Sequence, residues 1–178
     1  KYPDNVVIKH FENNHGVSAA RNTAISEIRQ KKDATVLFLD SDDLLKEDAI
    51  WQAAQFFEKE PEVNIASLKI LYFDAKEGEH RLNWKFEKCQ VVDIKENYNY
   101  PQFYIGGVFL RRSALQAIEF DERMNFWEDA LAINRCILGE GRYGLIRDGI
   151  YYYRKRPDES SLVDRAWTDK ERYTTFLD

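Results

Sequence analysis

The sequence predicts an α/β fold with a mostly parallel sheet flanked by helices. Three observations carry that prediction: a β-branched run at residues 6–8, an apolar helical face over residues 17–28, and a continuous apolar run at residues 35–39. Strand, helix and strand in that order make a βαβ unit, whose strands run parallel.

Taken in order, Val6, Val7 and Ile8 form the first strand. Asn13-Asn14-His15-Gly16 is turn chemistry. Val17, Ala20, Ala24, Ile25 and Ile28 then share one face of a helix. Residues 35–39 are apolar at successive positions, the pattern of a strand covered on both faces. A helix follows over residues 46–59 and stops before Pro61. Residues 63–73 read as a long strand. Residues 74–100 are charged and aromatic with little alternation, and no element is assigned to them. Gly106-Gly107-Val108-Phe109-Leu110 is a further strand, with a short helix from Ser113. Residues 127–138 form a helix ended by the glycines at 139 and 141, and residues 143–153 return as one or two strands.

The chain has 178 residues and 44% apolar content, enough for one domain with a sizeable core. Its net charge of -5 speaks against a general nucleic-acid binder, which carries a basic excess. Cys89 and Cys136 are too few for a disulfide framework and lack metal-ligand spacing, which points to a reducing, intracellular setting. No apolar run approaches the roughly 18 residues that span a bilayer.

The strand at residues 35–39 ends on Asp40-Ser41-Asp42-Asp43. Ligands of open α/β sheets bind beyond the carboxyl ends of the strands. Clustered carboxylates there repel one another unless a cation neutralises them, and Mg²⁺ or Mn²⁺ takes oxygen ligands of this kind together with a substrate phosphate. Helix capping is the alternative use of these acids, although one cap employs one acid rather than three. Arg21 falls within the inward arc of its helix, where a guanidinium needs an anionic or aromatic partner. A structural ion pair answers that need as well as a nucleotide does.

With these residues in view, Gly16-Val17-Ser18-Ala19-Ala20-Arg21-Asn22 followed by Phe38-Leu39-Asp40-Ser41-Asp42-Asp43 resembles the family 2 glycosyltransferases of the GT-A fold. The resemblance continues through Gly107-Val108-Phe109-Leu110-Arg111-Arg112-Ser113, Phe120-Asp121-Glu122, Phe126-Trp127-Glu128-Asp129 and Tyr151-Tyr152-Tyr153-Arg154-Lys155-Arg156, so it spans residues 5–165. It implies a GT-A-like, Rossmann-related sheet and an enzyme that moves a sugar from a nucleotide-diphosphate donor to an acceptor hydroxyl. Asp40-Ser41-Asp42 then corresponds to the D-x-D motif. By that resemblance Asp42 ligates Mn²⁺ or Mg²⁺, with Asp40 near the ribose or the metal and Ser41 beside them. Arg21 and Asn22 face the nucleotide. Asp129, with Glu128 beside it, supplies the base of an inverting transfer. Without the resemblance, those two acids read equally as helix N-terminal acids. Arg154 and Arg156, with Lys155 between them and Ser160 and Ser161 following, make a basic loop that suits phosphate or is a solvated charge run. Trp127, Tyr151 and Tyr152 are rings that stack on sugar or fill the core.

The family's opening strand with its aromatic-Asn turn, and its second strand ending in an acidic stretch, have no counterpart here. Residues 1–178 are therefore expected to be one domain, incomplete at the N-terminus. Such a fragment is expected to bind nucleotide poorly, and either to be less stable than the parent or to regain cover for its sheet by self-association. The implied partners are a nucleotide-diphosphate sugar and a glycan or lipid-linked acceptor, with no nucleic acid, in cell-surface polysaccharide synthesis. The implied place of work is the cytoplasm, at the inner face of the membrane. Two other readings stand beside this one. A haloacid-dehalogenase-type phosphatase also ends a strand on D-x-D, with Asp40 as nucleophile and Asp42 as acid, but Leu44 stands where that family has Thr or Val. A non-catalytic nucleotide-sugar-binding fragment keeps the fold without turnover.

Overall fold

The computed structural model describes residues 6–29, 31, 34–124 and 126–157. Their centre is a seven-stranded sheet with helices on both faces. Strands β1 (Val36–Leu37), β6 (Val108–Leu110), β3 (Ile65–Asp74), β7 (Arg142–Lys155) and β2 (Leu44–Leu45) lie side by side in that order. The short strands β4 (Gly78–Glu79) and β5 (Val91–Asp93) add to β3 and β7 respectively. The helices are α1 (Gly16–Ile28), α2 (Ala49–Lys59), α3 (Arg112–Ala117) and α4 (Glu128–Glu140).

The α/β architecture agrees with the sequence, but the sheet is mixed rather than mostly parallel. Of six strand pairings, five are antiparallel, and the parallel one is the long ladder of β3 on β7. The βαβ alternation of the first third says nothing of β6, which enters between β1 and β3 antiparallel to both. Alternation across the sheet sorts residues into two cores. Ile65, Val108, Leu110 and Leu145 pack under α3 and α4, whereas Ala66, Leu68, Phe109 and Ile146 pack under α2.

Several element boundaries shift for physical reasons. Val6, Val7 and Ile8 form no strand and are 62%, 71% and 83% exposed. The strand at residues 35–39 shrinks to β1, because β1 sits at the sheet edge with β6 as its one strand partner. Leu39 is accordingly exposed rather than covered on both faces. Helix α2 begins at Ala49, three residues later than its apolar pattern suggests. Leu44 and Leu45 pair with Tyr152 and Tyr151, and the Lys46 amide donates to the Ile150 carbonyl at 3.1 Å. Helix α4 runs through Gly139 and stops at Gly141, which adopts a left-handed φ of 76°. Residues 74–100, unassigned from sequence, hold β4, a 3₁₀ helix (Arg81–Glu87) and β5. Among the described residues, no helix is long and apolar enough to cross a membrane.

Candidate active site

A cavity of about 550 Å³ opens over the β3–β7 ladder. Its floor follows from strand periodicity: Ile70 and Tyr72 on β3 lie in register with Tyr151 and Tyr153 on β7, and all four line the cavity. The walls come from the acidic turn at residues 40–43, the N-terminal turn of α4, the segment 103–106, and His80-Arg81. Of the nine site residues predicted from the sequence, eight line this cavity, and Asn22 does not.

Arg21 is half-buried, but the inward face of α1 is not the one its apolar residues predict: Ser18, Ala19 and Ile25 are buried, whereas Ala20 and Ala24 are exposed. The Arg21 side chain is 11% exposed, and it donates to Glu128 Oε1 at 3.0 Å and to Asp40 Oδ1 at 3.4 Å. Its guanidinium also sits 5.3 Å from the Phe120 ring centroid. One arginine thus ties α1 to both acidic elements of the site. Asn22 on the neighbouring position is spent elsewhere. Its amide donates to the Phe120 carbonyl at 2.9 Å and accepts from the Phe120 amide at 3.0 Å, clasping α1 to the loop before α4. A donor-binding place for Asn22 does not fit this geometry, because both ends of its amide are already committed to backbone.

The acidic turn divides its four residues sharply. Asp43 is buried, accepting from the Tyr151 hydroxyl at 2.6 Å and from the Arg154 amide at 2.8 Å. Burial pushes its carboxyl above the usual range, against those two hydrogen bonds. Neither Asp43 nor its neighbours cap α2, whose N-cap is Asp48. Asp42 accepts from Arg156 at 2.6 Å, and its carbonyl accepts from Arg154 Nε at 2.9 Å. Asp40 and Ser41 complete the rim. Arg154 continues outward to Asp74 at 3.0 Å. Ser160 and Ser161 lie outside the described residues.

Asp40 and Asp42 are the carboxylates available for a divalent cation, since Asp43 is committed to Tyr151 and Arg154. No group of three or more His, Cys, Asp or Glu converges on a metal position among the described residues. That arrangement fits Mg²⁺ or Mn²⁺ held by one or two carboxylates and substrate phosphates, and does not fit an all-protein cage.

Tyr151 holds the turn in place. Besides Asp43, its hydroxyl accepts from the Asp40 amide at 3.4 Å. Its ring fits because residues 106 and 107 are glycines. A Cβ on Gly106 would meet the Tyr151 hydroxyl at 2.8 Å, and one on Gly107, whose φ is +73°, would meet Tyr151 Cβ at 2.8 Å. A ring that is 1% exposed cannot stack its face on a sugar, so Tyr151 is a strut and not a platform. Tyr152 points to the other face of β7, edge-on to Phe73. Trp127 does line the cavity.

Glu128 and Asp129 open α4, preceded by Trp127 in the left-handed region at φ 63°. That conformation is uncommon for a bulky side chain and turns the chain abruptly into the helix. Asp129 accepts from the Ala130 amide at 2.8 Å and from the Ile105 amide. Helix N-terminus and amides favour its charged form, yet burial and the adjacent Glu128 charge win. Together they push its carboxyl up to about 6. A carboxylate that is ionised at neutral pH and still takes a proton readily is what a general base requires.

Sequence reasoning missed Asp43 and Tyr151 as a supporting pair, and the wall made by Tyr72, His80, Arg81 and Tyr104. The Gly106-Gly107 pair signalled a close approach, but its partner on β7 is 44 residues away in the hydrogen-bonded Tyr151.

Comparison with known proteins agrees with this construction. The chain is 45% identical to the minor teichoic acid biosynthesis protein GgaA of Bacillus subtilis (strain 168), over 99% of this chain and 40% of that protein. It is 33% identical to GgaB of the same organism, over 99% of this chain and 19% of that protein. The chain therefore spans about two fifths or less of the length of these relatives. The crystal structure of S. aureus TarS 1–349 in complex with UDP-GlcNAc superposes with a TM-score of 0.71 at 23% identity, over 87% of this chain and 44% of that one. The same TarS fragment with UDP superposes with a TM-score of 0.70 at 22% identity, over 88% and 46%. The GT-A fold is shared, and nothing in these similarities supports the phosphatase alternative. The model of glycosyl transferase family 2 matches residues 1–119 of the 178, and the chain belongs to that family.

Proposed function

We propose that this chain carries the donor site and catalytic base of an enzyme that transfers a sugar from a nucleotide-diphosphate sugar to an acceptor hydroxyl during cell-surface polysaccharide synthesis. The observation that carries the proposal is Asp129: a half-buried carboxyl raised to about 6 that shares one cavity with Asp40 and Asp42. The names of the relatives, with teichoic acid in one pair and UDP-GlcNAc or UDP in the other, support the polymer and donor classes.

In this reading the acceptor hydroxyl loses its proton to Asp129, and its oxygen forms a bond to the sugar's anomeric carbon. The bond from that carbon to the diphosphate oxygen breaks, and the diphosphate leaves with the electron pair. Attack from the opposite face inverts the anomeric centre. Glu128 keeps Arg21 beside Asp40 and, by its own charge, keeps Asp129 basic. Asp42 and Asp40 would hold Mn²⁺ or Mg²⁺, which when bound offsets charge on the leaving diphosphate. Arg156 exchanges Asp42 for a donor phosphate, to which its planar fork is suited, and Arg154 anchors the turn beneath it. Work in the cytoplasm at the inner membrane face belongs to this proposal, as the setting implied for a nucleotide-sugar donor and a growing surface polymer.

The test is Asp129→Asn in the full-length enzyme. Turnover should fall by about 10²- to 10⁴-fold, the range for losing a general base. Affinity for the nucleotide diphosphate should stay within about twofold, since in this reading Asp129 serves the acceptor hydroxyl and not the diphosphate. Wild-type turnover by the variant removes Asp129 from the mechanism.

A further inference from the structure

Lys85 is a buried charge that the transfer chemistry does not use. It lies in the 3₁₀ helix and is 1% exposed. Burying an ammonium is costly unless an anion or a full set of acceptors meets it. Among the described residues no carboxylate pairs with Lys85, and burial lowers its pKa to about 7. Its three N–H donors go to three neutral oxygens: the Pro101 carbonyl at 2.9 Å, Gln102 Oε1 at 2.8 Å and the Tyr143 hydroxyl at 3.1 Å.

All three acceptors serve one stretch of chain. Residues 100–104 belong to neither helix nor strand, so side chains must hold them in place. Tyr143 on β7 accepts from Lys85 and donates its own proton to the Tyr100 carbonyl at 2.7 Å. Gln102, also 1% exposed, accepts from Lys85 and donates through Nε2 to the Tyr104 carbonyl at 3.1 Å. From the opposite side, Asn134 of α4 donates to the Gln102 carbonyl and accepts from the Gln102 amide at 3.4 Å.

The Tyr104 carbonyl and the Ile105 amide are two ends of one planar peptide, so fixing the first aims the second. That amide donates to Asp129. A continuous chain of contacts thus runs from Lys85 through Gln102 and the Tyr104–Ile105 peptide to the Asp129 carboxylate. Around Asp129, Glu128 on α4 raises the carboxyl along with burial, while Arg21 on α1 and the amides of Ala130 and Ile105 lower it. Around Lys85 stand the Cys89 thiol, the Tyr143 phenol and the neutral His80. The Ile105 amide is what the Lys85-held segment contributes to the carboxylate.

We propose that Lys85 is a positioning residue for the base: through Gln102 its ammonium holds the Tyr104–Ile105 peptide so that the Ile105 amide stays on Asp129. The role of Asp129 as base rests on the transferase reading, whereas the link to it does not. Losing the amide removes a hydrogen bond to the charged form, so Asp129 would take its proton at higher pH.

The experiment follows two readouts in the full-length enzyme, the ¹³C NMR titration of the Asp129 carboxyl, assigned with Asp129→Asn, and the rate–pH profile. Lys85→Met keeps the side chain's length and removes its donors. Gln102→Leu cuts the relay while leaving Lys85 bonded to Pro101 and Tyr143. Each should raise the Asp129 midpoint by about half a unit, which lowers activity at pH 5.5, relative to pH 7.5, by about 2.5-fold. The double variant should shift no further than either single one, because the two residues act in series. UDP affinity should stay within about twofold throughout. Phe86→Leu, a core truncation on the same 3₁₀ helix, should lower the unfolding midpoint and leave the Asp129 midpoint in place. An unmoved Asp129 midpoint in either folded variant overturns the proposal. So does an equal shift in Phe86→Leu, which marks general loosening of the core. A shifted carboxyl in an enzyme without nucleotide-sugar turnover leaves the relay standing and fails the transferase reading.

Discussion

Two acidic stretches face each other across the cavity, and they handle charge in opposite ways. In the turn at residues 40–43 the three aspartates are compensated: Asp40 by Arg21, Asp42 by Arg156, and Asp43 by a tyrosine hydroxyl and a backbone amide. At the start of α4, Glu128 pairs directly with Arg21, whose charge lowers Asp129 less than burial and the like-charged Glu128 raise it. Partners fix the turn's carboxylates in position, although burial still raises the Asp43 carboxyl. At α4, burial and a like charge raise Asp129 to about 6, where it exchanges a proton near neutral pH. Two acidic runs of similar composition therefore carry different chemistry, because one arginine sits between them and is closer to Glu128 than to Asp40.

The largest effect should come from breaking the compensated side at its buried member. Asp43→Ala leaves the Tyr151 hydroxyl and the Arg154 amide unpaired, which should cost about 3 kcal/mol in denaturant unfolding. A loss below about 1 kcal/mol would mean that water replaces the carboxylate and that Asp43 is not the turn's anchor.

A middling effect is expected at Asp42, whose side chain is 34% exposed and whose removal disturbs no core. Asp42→Asn should weaken metal-dependent binding of UDP by at least about tenfold while leaving stability within about 0.5 kcal/mol. Unchanged metal dependence would transfer the ligand role to Asp40 or away from the turn.

The smallest and most diagnostic effect is a pH shift. A base with a folded-state pKa near 6 loses activity as pH falls through that value, because protonation removes the acceptor. Glu128→Gln takes away the like charge and frees Arg21 to approach Asp129, and both changes lower the Asp129 pKa. The acid limb of the rate profile should move down. A drop of about half a unit would raise activity at pH 5.5, relative to pH 7.5, by about twofold. A limb that stays at its wild-type position would show that burial alone sets this carboxyl. The raised pKa also means that ionising Asp129 costs stability. That contribution is present below its unfolded value of 3.8 and is lost as pH rises through about 6.

What the sequence determined by itself are features with a local cause. The existence of α1 follows from 3.6-residue periodicity, although not the face it buries, since Ala20 and Ala24 are exposed and Ser18 and Ala19 buried; the acidic turn is visible because strand chemistry stops abruptly at Asp40. The order of motifs, from Gly16 through Asp40–Asp43 to Glu128-Asp129 and Arg154, was enough to place the chain in its family. Long-range pairing was not legible. The side chains of Arg21 and Glu128 meet across 107 positions, and those of Asp43 and Tyr151 across 108, and no local pattern encodes a partner at that distance. Sheet direction belongs to the same class. β6 enters antiparallel beside β1 and β3 because the second half of the chain re-enters the sheet, which the βαβ unit of the first half does not foretell. Asn22 shows the limit most plainly. From sequence it is inseparable from Arg21 beside it, but consecutive helical residues point about 100° apart. The tertiary structure sends Arg21 into the cavity and gives Asn22 to the Phe120 backbone. Likewise, tertiary structure alone made His80 and Arg81, within residues 74–100, a wall of the site: that stretch has no helical or strand period. They acquire a common direction only when the His80 amide is tied to Ile70 and its ring to Tyr104.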